Sequence, residues 1–593
     1  MILQALYEYY NRSDKVAPIG KEIKEIAFLV VIKHDGTFVR IENTHDEDGN
    51  GNKYLVSKSW GRTGTTPQPF HFWDNFSYVF GFSIADIVVE KDDIDKEKLE
   101  KCKKEIAKNK KNHRGFVDYV SHMRNLHPND IDINAVFLFY KKYDDILVSL
   151  LRNSSIWDII KKNLTKNISF LIEGETEIIA GKERVIAYSE KKKNERGKSI
   201  CLVTGNKCSP TSTFTKIKLG KFSDTKLISF QKGSGYDSYG KEQGNNAPIS
   251  EDAEFKCSTA LKKMLEYGSR NKFEIGNRTF VFWSSSQSVE GQYVEKSIFD
   301  LFGLSNNNQD KGIENVRKNF ESIFNGRSQL NKDGWFYILG IYPANKARIA
   351  VSYWAEIPLM NFIEFIINHF RDMEIISAHK NQSYMGLHSI LKAITLDEKI
   401  YGDDSKLQPN IAESVVKSIL QGLPYPQPLF SSCIRRIRAE SSKKEYPITT
   451  TRAAIIKAYI NRLNDKQQKI GIMLDKENPN QGYLCGRLFA VLDKIQGDAN
   501  NQHTIRERYM NAASATPATV FATILNLSSH HSEKLNEGRK IFYEKLKQEI
   551  IEKISADGFP SHLDLQDQGR FFVGYYHQQQ SFYMKNDEQK DEQ

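Results

Sequence analysis

The sequence lacks three features that would direct the protein to a membrane or out of the cell. It contains no apolar run near the ~20 residues that a membrane-spanning helix needs. Only six cysteines occur in 593 residues, at scattered positions, which is typical of a protein in a reducing compartment. The beginning, MILQALYEYYNRSD, has neither the basic segment nor the small-residue cleavage site of a signal peptide. We therefore expect a cytoplasmic protein without membrane contact.

Sequence signatures of catalysis are also missing. The chain has no G-x-S-x-G, H-E-x-x-H or dinucleotide-binding motif. Cys201 and Cys208 are seven residues apart without a paired C-x2-C, and His530 and His531 are adjacent, so they point to different sides of a helix. The sequence therefore predicts no metal, no cofactor and no enzymatic activity. Dispersed carboxylates keep one alternative open, a metal-dependent nuclease that processes nucleic acid.

One stretch, GYDSYGKEQGNNAP, contains most of a phosphate-binding loop. Gly235, Gly240 and Lys241 have the right spacing, but Glu242 stands where Ser or Thr should bind Mg²⁺. The residues that follow continue as a loop, whereas a P-loop must open directly into a helix. We interpret the segment as a hydrogen-bonding loop that lies against a polar, negatively charged partner. A plain surface turn is the alternative.

What the sequence does have is positive charge in particular segments. Its 84 Lys and Arg exceed its 74 Asp and Glu, which favours an anionic partner. Between Arg435 and Lys469 there are ten basic and three acidic residues. Residues 91–114 carry ten basic and six acidic residues, which predicts a solvated helix whose basic end, Lys108–Arg114, is a weaker candidate for phosphate contact. The phosphate-binding candidates of the first segment, for which a solvated surface is the alternative, are Arg435, Arg436, Arg438, Arg452 and Lys457.

The hydrophobic pattern predicts an α+β protein. The first ~85 residues have the pattern of strands and turns after a short helix, residues 87–170 that of helices, and short strands follow from Ser199. A ββα unit is predicted at 331–371. Its aromatic residues are either core or a platform on which bases stack, and the candidates for stacking are Trp335, Tyr337 and Tyr353.

The remainder of the chain has the pattern of a helical bundle. We predict three regions: a mixed α/β region at 1–400, a basic helical connector at 401–472 and a carboxy-terminal bundle at 473–593.

Several motifs, in the same order along nearly the whole chain, resemble the large subunit of the type I-C CRISPR interference complex (Cascade). The motifs are MILQALYEYY, GRTGTTPQPFHFWDNFSYVFG, CLVTG, LISFQKGSGYDSYGKEQGNNAPIS, GWFYILGIYPANKARIAVSYW and QGRFFVGYYHQQQSFY. The turn with Gly61, Thr65 and Thr66 departs from the shorter turn that we expect in this family.

The resemblance implies a non-catalytic subunit of an RNA-guided complex. In such a complex base pairing reads the target, while protein reads a short adjacent motif in duplex DNA. The implied partners are the CRISPR RNA, double-stranded target DNA, a repeated backbone subunit, a repeat-processing subunit at the guide 5′ end, a small subunit and a helicase-nuclease. A scaffold subunit that makes only protein contacts is a further alternative.

With this function in mind, two loops become candidate sites. The first combines a cation, a hydroxyl, a glycine and an amide, and would read the adjacent motif on a scaffold of Trp60, Phe70, Phe72 and Trp73. Its residues are Arg62, Thr63, Gly64 and Asn75. The second is the glycine-rich loop, which would contact DNA or guide RNA through Lys232, Ser234, Tyr239, Lys241, Gln243, Asn245 and Asn246.

The resemblance also implies a second product of the same gene. The family makes its small subunit by internal translation, and Met473 stands in a polar loop before the terminal bundle. A start at Met473 would yield 121 residues. Because the boundary lies in a loop, we expect it to leave a free-standing core intact.

Overall fold

The computed structural model describes most of the chain. The described residues are 1–13, 16–47, 49–59, 66–90, 95–188, 199–231, 233, 235, 237, 239–275, 277–285, 289–302, 309–325, 334–377, 385–395, 410–442, 447–463 and 469–584. Of the described residues, 53% are helical and 16% lie in strands, which confirms the predicted α+β class. Among the described helices, none is both long and apolar enough to cross a membrane.

The strands are short and fall into several small sheets. In chain order they are β1 Lys21–Ile26, β2 Phe28–Ile32, β3 Phe38–Asn43, β4 Asn52–Ser57, β5 Trp73–Asn75, β6 Asn167–Ile172, β7 Ser199–Ile200, β8 Lys207–Cys208, β9 Ile217–Leu219, β10 Phe222–Thr225, β11 Lys272–Ile275, β12 Arg278–Ser284, β13 Trp335–Pro343 and β14 Ile349–Pro358.

The helices dominate after residue 359. In chain order they are α1 Ile2–Arg12, α2 Phe76–Val79, α3 Ile84–Val89, α4 Lys96–Leu126, α5 Ile131–Tyr143, α6 Leu147–Arg152, α7 Trp157–Ile160, α8 Glu183–Tyr188, α9 Glu251–Leu265, α10 Val289–Phe302, α11 Gln309–Phe324, α12 Leu359–Met373, α13 Leu387–Lys392, α14 Ile411–Gln421, α15 Gln427–Glu440, α16 Thr450–Leu463, α17 Gln481–Asn500, α18 Thr504–Ala513, α19 Pro517–Ser532, α20 Glu537–Ile551 and α21 Leu565–Ser581.

Backbone contacts divide the chain into two compact units. The amino-terminal unit comprises residues 13–217 and 226–261, and the carboxy-terminal unit comprises residues 1–12, 218–225 and 262–593. The boundaries of these units do not coincide with the predicted region boundaries near residues 400 and 472. The reason is that one continuous apolar core runs from β11 through α21.

The amino-terminal unit is built on a four-stranded sheet in the order β3-β2-β6-β5. All five residues of β2 are buried, and β2 pairs in parallel with β6. Helices pack on this sheet through aromatic contacts, for example Phe28 with Phe76 of α2 and Phe170 with Phe116 of α4. The predicted helical segment 87–170 is confirmed as α3 to α7.

The carboxy-terminal unit contains the predicted ββα unit as β13, β14 and α12. Its antiparallel sheet, β11-β12-β13-β14, is covered on both faces. Tyr9 of α1 lies 6.5 Å from Trp283 on one face, and Phe362 of α12 stacks at 4.1 Å on Phe336 on the other.

The aromatic residues of this sheet are therefore mainly core. Tyr337 and Tyr353, two of the three candidates for base stacking, are buried, whereas Trp335 is 44% exposed. Since base stacking needs an exposed ring face, the structure supports the core alternative for the two tyrosines.

Candidate nucleic-acid interface

The first candidate site, the adjacent-motif loop, is described only at its ends. Arg62, Thr63, Gly64 and the anchoring Trp60 lie outside the described residues. The described end is held tightly, because Phe72 and Trp73 are fully buried and the ring of Phe70 stacks at 4.6 Å on that of Trp73. The scaffold residues that follow the loop thus form a rigid base.

Asn75 is the candidate motif-reading residue that the structure describes. It is half-buried and caps the amino terminus of α2, since its Oδ1 accepts hydrogen bonds from Ser77 N at 3.1 Å and Ser77 Oγ at 2.7 Å. Its Nδ2 donates to no atom of the described protein. The cap therefore fixes the side-chain amide while its two N–H donors stay available.

The described residues that follow the loop contact α4. A Cβ placed on Gly115 of α4 would overlap the ring of Pro67, which follows the loop by two residues. His113 of α4 donates from Nδ1 to the backbone oxygen of Tyr78 in α2 at 2.9 Å. Pro67, which follows the loop, and the helix capped by Asn75 thus both contact the same part of α4.

The second candidate site, the glycine-rich loop, is organised by an acidic residue that sequence reasoning missed. The carboxylate of Asp237 accepts hydrogen bonds from the backbone N–H groups of Gly233 at 2.8 Å and Gln243 at 3.2 Å, and from Asn246 Nδ2 at 3.4 Å. No sequence motif marks this role, because the partners lie four to nine residues away in an irregular loop.

The base of the loop is anchored to residues 211–212. Gly244 N donates to Ser212 O at 3.1 Å, and a Cβ at this position would overlap the carbonyl oxygen of Thr211. Leu202 N donates to Pro248 O at 2.9 Å. A short 3₁₀ helix, Gln243–Asn246, replaces the long helix that a P-loop requires. The prediction that this segment continues as a loop instead of a long helix is confirmed.

The predicted contact residues of the loop differ in availability. Tyr239 is 99% exposed, and Lys241 and Asn245 are exposed as well. Asn246 is half-buried, and its Nδ2 also donates to Gln243 O at 3.0 Å. Gln243 is half-buried too. Lys232 and Ser234 lie outside the described residues.

A cysteine lies beside this loop in an unusual electrostatic setting. Burial on its own raises the pKa of the Cys201 thiol, but hydrogen bonds from Thr204 and Ser250 outweigh it and lower that pKa to about 7. Among the described residues no cluster of three or more His, Cys, Asp or Glu side chains has the arrangement of a metal site.

The third candidate site, the basic stretch, is largely internal. Arg436 and Arg452 are buried and share the carboxylate of Glu440, and Arg452 also donates to Pro447 O at 2.7 Å. Buried guanidinium groups in such contacts have no surface to offer to a phosphate. Their predicted phosphate contact therefore finds no support in the structure.

The other three basic candidates differ in how far they are exposed. Lys457 is buried and donates to the carbonyl oxygens of Asp372 at 2.8 Å and Arg371 at 3.3 Å, which close the end of α12. Arg438 is half-buried and donates to Gln568 Oε1 at 2.8 Å. Only Arg435 of the five is exposed. The prediction of a phosphate-binding surface here thus rests on one residue.

A comparison with known protein families matches residues 6–583, which include both loops, to the family described as CRISPR-associated protein (Cas_Csd1). The chain belongs to this family. It is a CRISPR-associated protein of the Cascade type. No protein of the curated collection searched matches the chain.

For a CRISPR-associated protein the two loops are separate candidates for contact with nucleic acid. Both lie in the amino-terminal unit, and each offers polar groups that the fold does not use internally. The described groups of this kind are Asn75 Nδ2 and the exposed side chains of Tyr239, Lys241 and Asn245. The assignment of these groups to nucleic acid stays a prediction.

Proposed function

We propose that this CRISPR-associated protein is the non-catalytic large subunit of a type I-C RNA-guided interference complex. It recognises the adjacent motif in duplex DNA, assists strand opening and recruits the helicase-nuclease that cuts the DNA. The family match over residues 6–583 carries the proposal, because it includes both candidate loops. The proposed partners within the complex are the CRISPR RNA, the repeated backbone subunit, the repeat-processing subunit and the small subunit.

The geometry of Asn75 supports motif recognition. When hydrogen bonds to its oxygen hold a side-chain amide in place, its N–H donors point in a defined direction. Such donors can bond the acceptor groups of base edges. The scaffold below it is buried and aromatic, so the donor position varies little. The glycine-rich loop adds Lys241 for phosphate and Asn245 for base edges.

The Asn75 amide is tested by Asn75→Ser in the assembled complex. Serine caps a helix about as well as asparagine, so α2 stays capped while the amide donors are lost. Loss of a direct base contact removes ~1–3 kcal/mol of discrimination, and we expect the preference for duplexes with the correct motif to fall by about 5- to 150-fold. The measurement is equilibrium binding to duplexes with and without the motif.

The matched control is Asn536→Ser, since Asn536 caps α20 in the carboxy-terminal unit in the same way. This control should leave the motif preference unchanged. Unchanged preference in both Asn75→Ser and Arg62→Ala would overturn the assignment of the motif site. The non-catalytic role is tested separately by incubating the isolated chain with DNA or RNA and Mg²⁺ or Mn²⁺, where cleavage above a mock preparation would contradict it.

A further inference from the structure

Helix α4 packs on the amino-terminal unit through a narrow stripe of its surface. Phe116, Val120 and Met123 are buried in its second half. From Lys96 to Lys108 no residue is fully buried, and only Leu99, Cys102 and Ile106 are even half-buried. The rest of the helix surface therefore faces solvent over more than three turns.

This exposed surface is basic. Seven cations between residues 101 and 114 are exposed, against one carboxylate, Glu105. Two of the seven are paired along the helix, Lys101 with Glu97 at 2.5 Å and Lys104 with Glu100 at 3.1 Å. Four others make no ion pair within the described part of the chain, and they are Lys103, Lys108, Lys110 and Arg114.

The spacing of these four residues suits a run of phosphates. The helix rises 1.5 Å per residue, so Lys103 and Arg114 are separated by roughly 16 Å along its axis. One DNA strand carries a phosphate about every 3.4 Å along its axis. Around the axis, Lys103, Lys110 and Arg114 lie within about 40° of one another, and Lys108 lies about 120° from Arg114. A duplex whose groove receives the exposed side of α4 therefore brings phosphates of one strand within reach of the first three side chains and phosphates of the other strand within reach of Lys108.

The composition of the surface limits the class of partner that it can bind. Its exposed positions include no aromatic residue between 95 and 114, whereas proteins that bind single strands stack bases on aromatic rings. Ala107 is the sole exposed apolar side chain in this interval, so the surface also lacks the apolar contacts that anchor a helix in a membrane or a protein interface. Charge without stacking or apolar groups matches contact with a duplex backbone.

The position of the surface agrees with this partner. Gly115 contacts Pro67 beside the adjacent-motif loop, and His113 bonds α2, which Asn75 caps. Arg114 lies between these two contacts in sequence. The basic surface thus ends at the part of α4 that contacts Pro67 and α2.

We propose that Lys103, Lys108, Lys110 and Arg114 bind the phosphate backbone of the double-stranded DNA that flanks the adjacent motif. This inference rests on the proposed function for the identity of the nucleic acid. It assigns α4 a sequence-independent role that is distinct from motif recognition by Asn75.

The test is Lys103→Gln, Lys108→Gln and Lys110→Gln together, in the assembled complex. Each phosphate contact contributes about 0.9 to the slope of log K against log salt. We expect that slope to become shallower by about 2 to 3 for duplexes with and without the motif, while the ratio of the two affinities stays constant. Replacement of the same three lysines by arginine keeps the charge and should keep the slope.

The matched control is Lys296→Gln, Arg508→Gln and Lys545→Gln, three exposed cations of the carboxy-terminal unit without ion pairs in the described chain. It should leave the slope within about 1 of the wild type, the contribution of a single phosphate contact. An unchanged slope in the α4 variant, with its melting temperature intact, overturns the proposal in favour of a solvated surface. Impaired assembly with an unchanged slope overturns it in favour of a protein contact.

Failure of this inference is distinguishable from failure of the proposed function. If the wild-type complex shows no motif preference, the proposed function fails, and the salt slope still tests α4. If the α4 lysine variant loses affinity only for duplexes that carry the motif, the backbone assignment is wrong and the lysines act in motif recognition.

Discussion

Lys457 illustrates how a residue in a basic stretch can be structural. Its ammonium group lies inside the helical core and donates to the carbonyl oxygens that end α12. Burial lowers the pKa of Lys457 from 10.5 to about 8. At neutral pH the buried, charged ammonium group therefore lowers the free energy of unfolding, which is not expected of an exposed lysine that binds phosphate.

The stability of the protein should depend on this lysine at alkaline pH. Between pH 8 and 10.5 the unfolded chain holds the proton more strongly than the native chain does, so the free energy of unfolding rises with pH in this window. We therefore expect the wild type to gain about 2 kcal/mol in free energy of unfolding relative to Lys457→Met from pH 7 to pH 10.

Denaturant titrations of both proteins at several pH values measure this difference, and they cancel the titration of all other groups. Lys545→Met, at an exposed position, serves as the control for the loss of a lysine from the protein surface. A constant difference for Lys457→Met across the window would mean that the lysine is not desolvated as the structure indicates.

Helices α17 and α21 show how glycine determines packing at the scale of elements. Gly482 and Gly486 of α17 face the backbone of Asp567 and Phe571, and Gly574 of α21 faces that of Tyr483. A Cβ at any of the three would overlap backbone atoms of the other helix. The two helices therefore approach each other more closely than any larger residue at these positions allows.

Substitution of Gly486 by Ala should destabilise the carboxy-terminal unit. The new methyl group has to displace the carbonyl oxygen of Phe571, and forcing extra volume into a packed core costs ~1–3 kcal/mol. Gly538→Ala is the control, because its Cβ meets only the side chain of Asn536 at 3.9 Å and Ala favours helix. Thermal unfolding should separate the two variants, and equal melting temperatures would show that the helices can shift apart freely.

At the scale of the whole molecule, the carboxy-terminal bundle packs against helices that precede it in the chain. Met473 lies in a loop before α17, as predicted, and is 38% exposed. Helix α21 nevertheless packs against α15 and α16, where Phe430 and Ile456 surround Gly569 and the Tyr576 hydroxyl bonds Thr450 at 3.0 Å. In the full-length chain the bundle thus shares apolar contacts with α15 and α16, and the expectation that a product from Met473 keeps a free-standing core stays a prediction.

The start of a second product at Met473 stays a prediction. Expression of the intact gene should give full-length protein and a 121-residue product that begins at Met473, and Met473→Leu should abolish the shorter one. Because the shorter product exposes the apolar side of α21, we expect it to self-associate unless another subunit covers that side. Intact-mass analysis detects the shorter product, and size-exclusion chromatography measures its self-association. The prediction is wrong if the native host contains only the full-length protein.

Part of the candidate site was accessible from the sequence because its signals are local. Gly233, Gly235 and Gly240 adopt positive φ values that favour glycine, and the clustering of glycines along the chain is enough to predict an irregular loop. The role of Asp237 was not accessible, since it depends on how the loop folds back on itself. The basic helix α4 was predicted as a solvated helix, but its unpaired cations and its contact with Pro67 appear only in three dimensions.

The sequence by itself determined the α+β class, the ββα unit and the terminal helices, because hydrophobic periodicity and turn residues act over a few positions. Only the tertiary structure decided which of the cations are available to a partner. Lys457 is buried because carbonyl oxygens 85 and 86 residues earlier in the chain come to its ammonium group. Likewise, α1 covers one face of a sheet that lies far along the chain, where Tyr9 contacts Trp283, so Tyr337 is core. A buried charge or ring needs partners from distant segments, and chain folding alone brings those together.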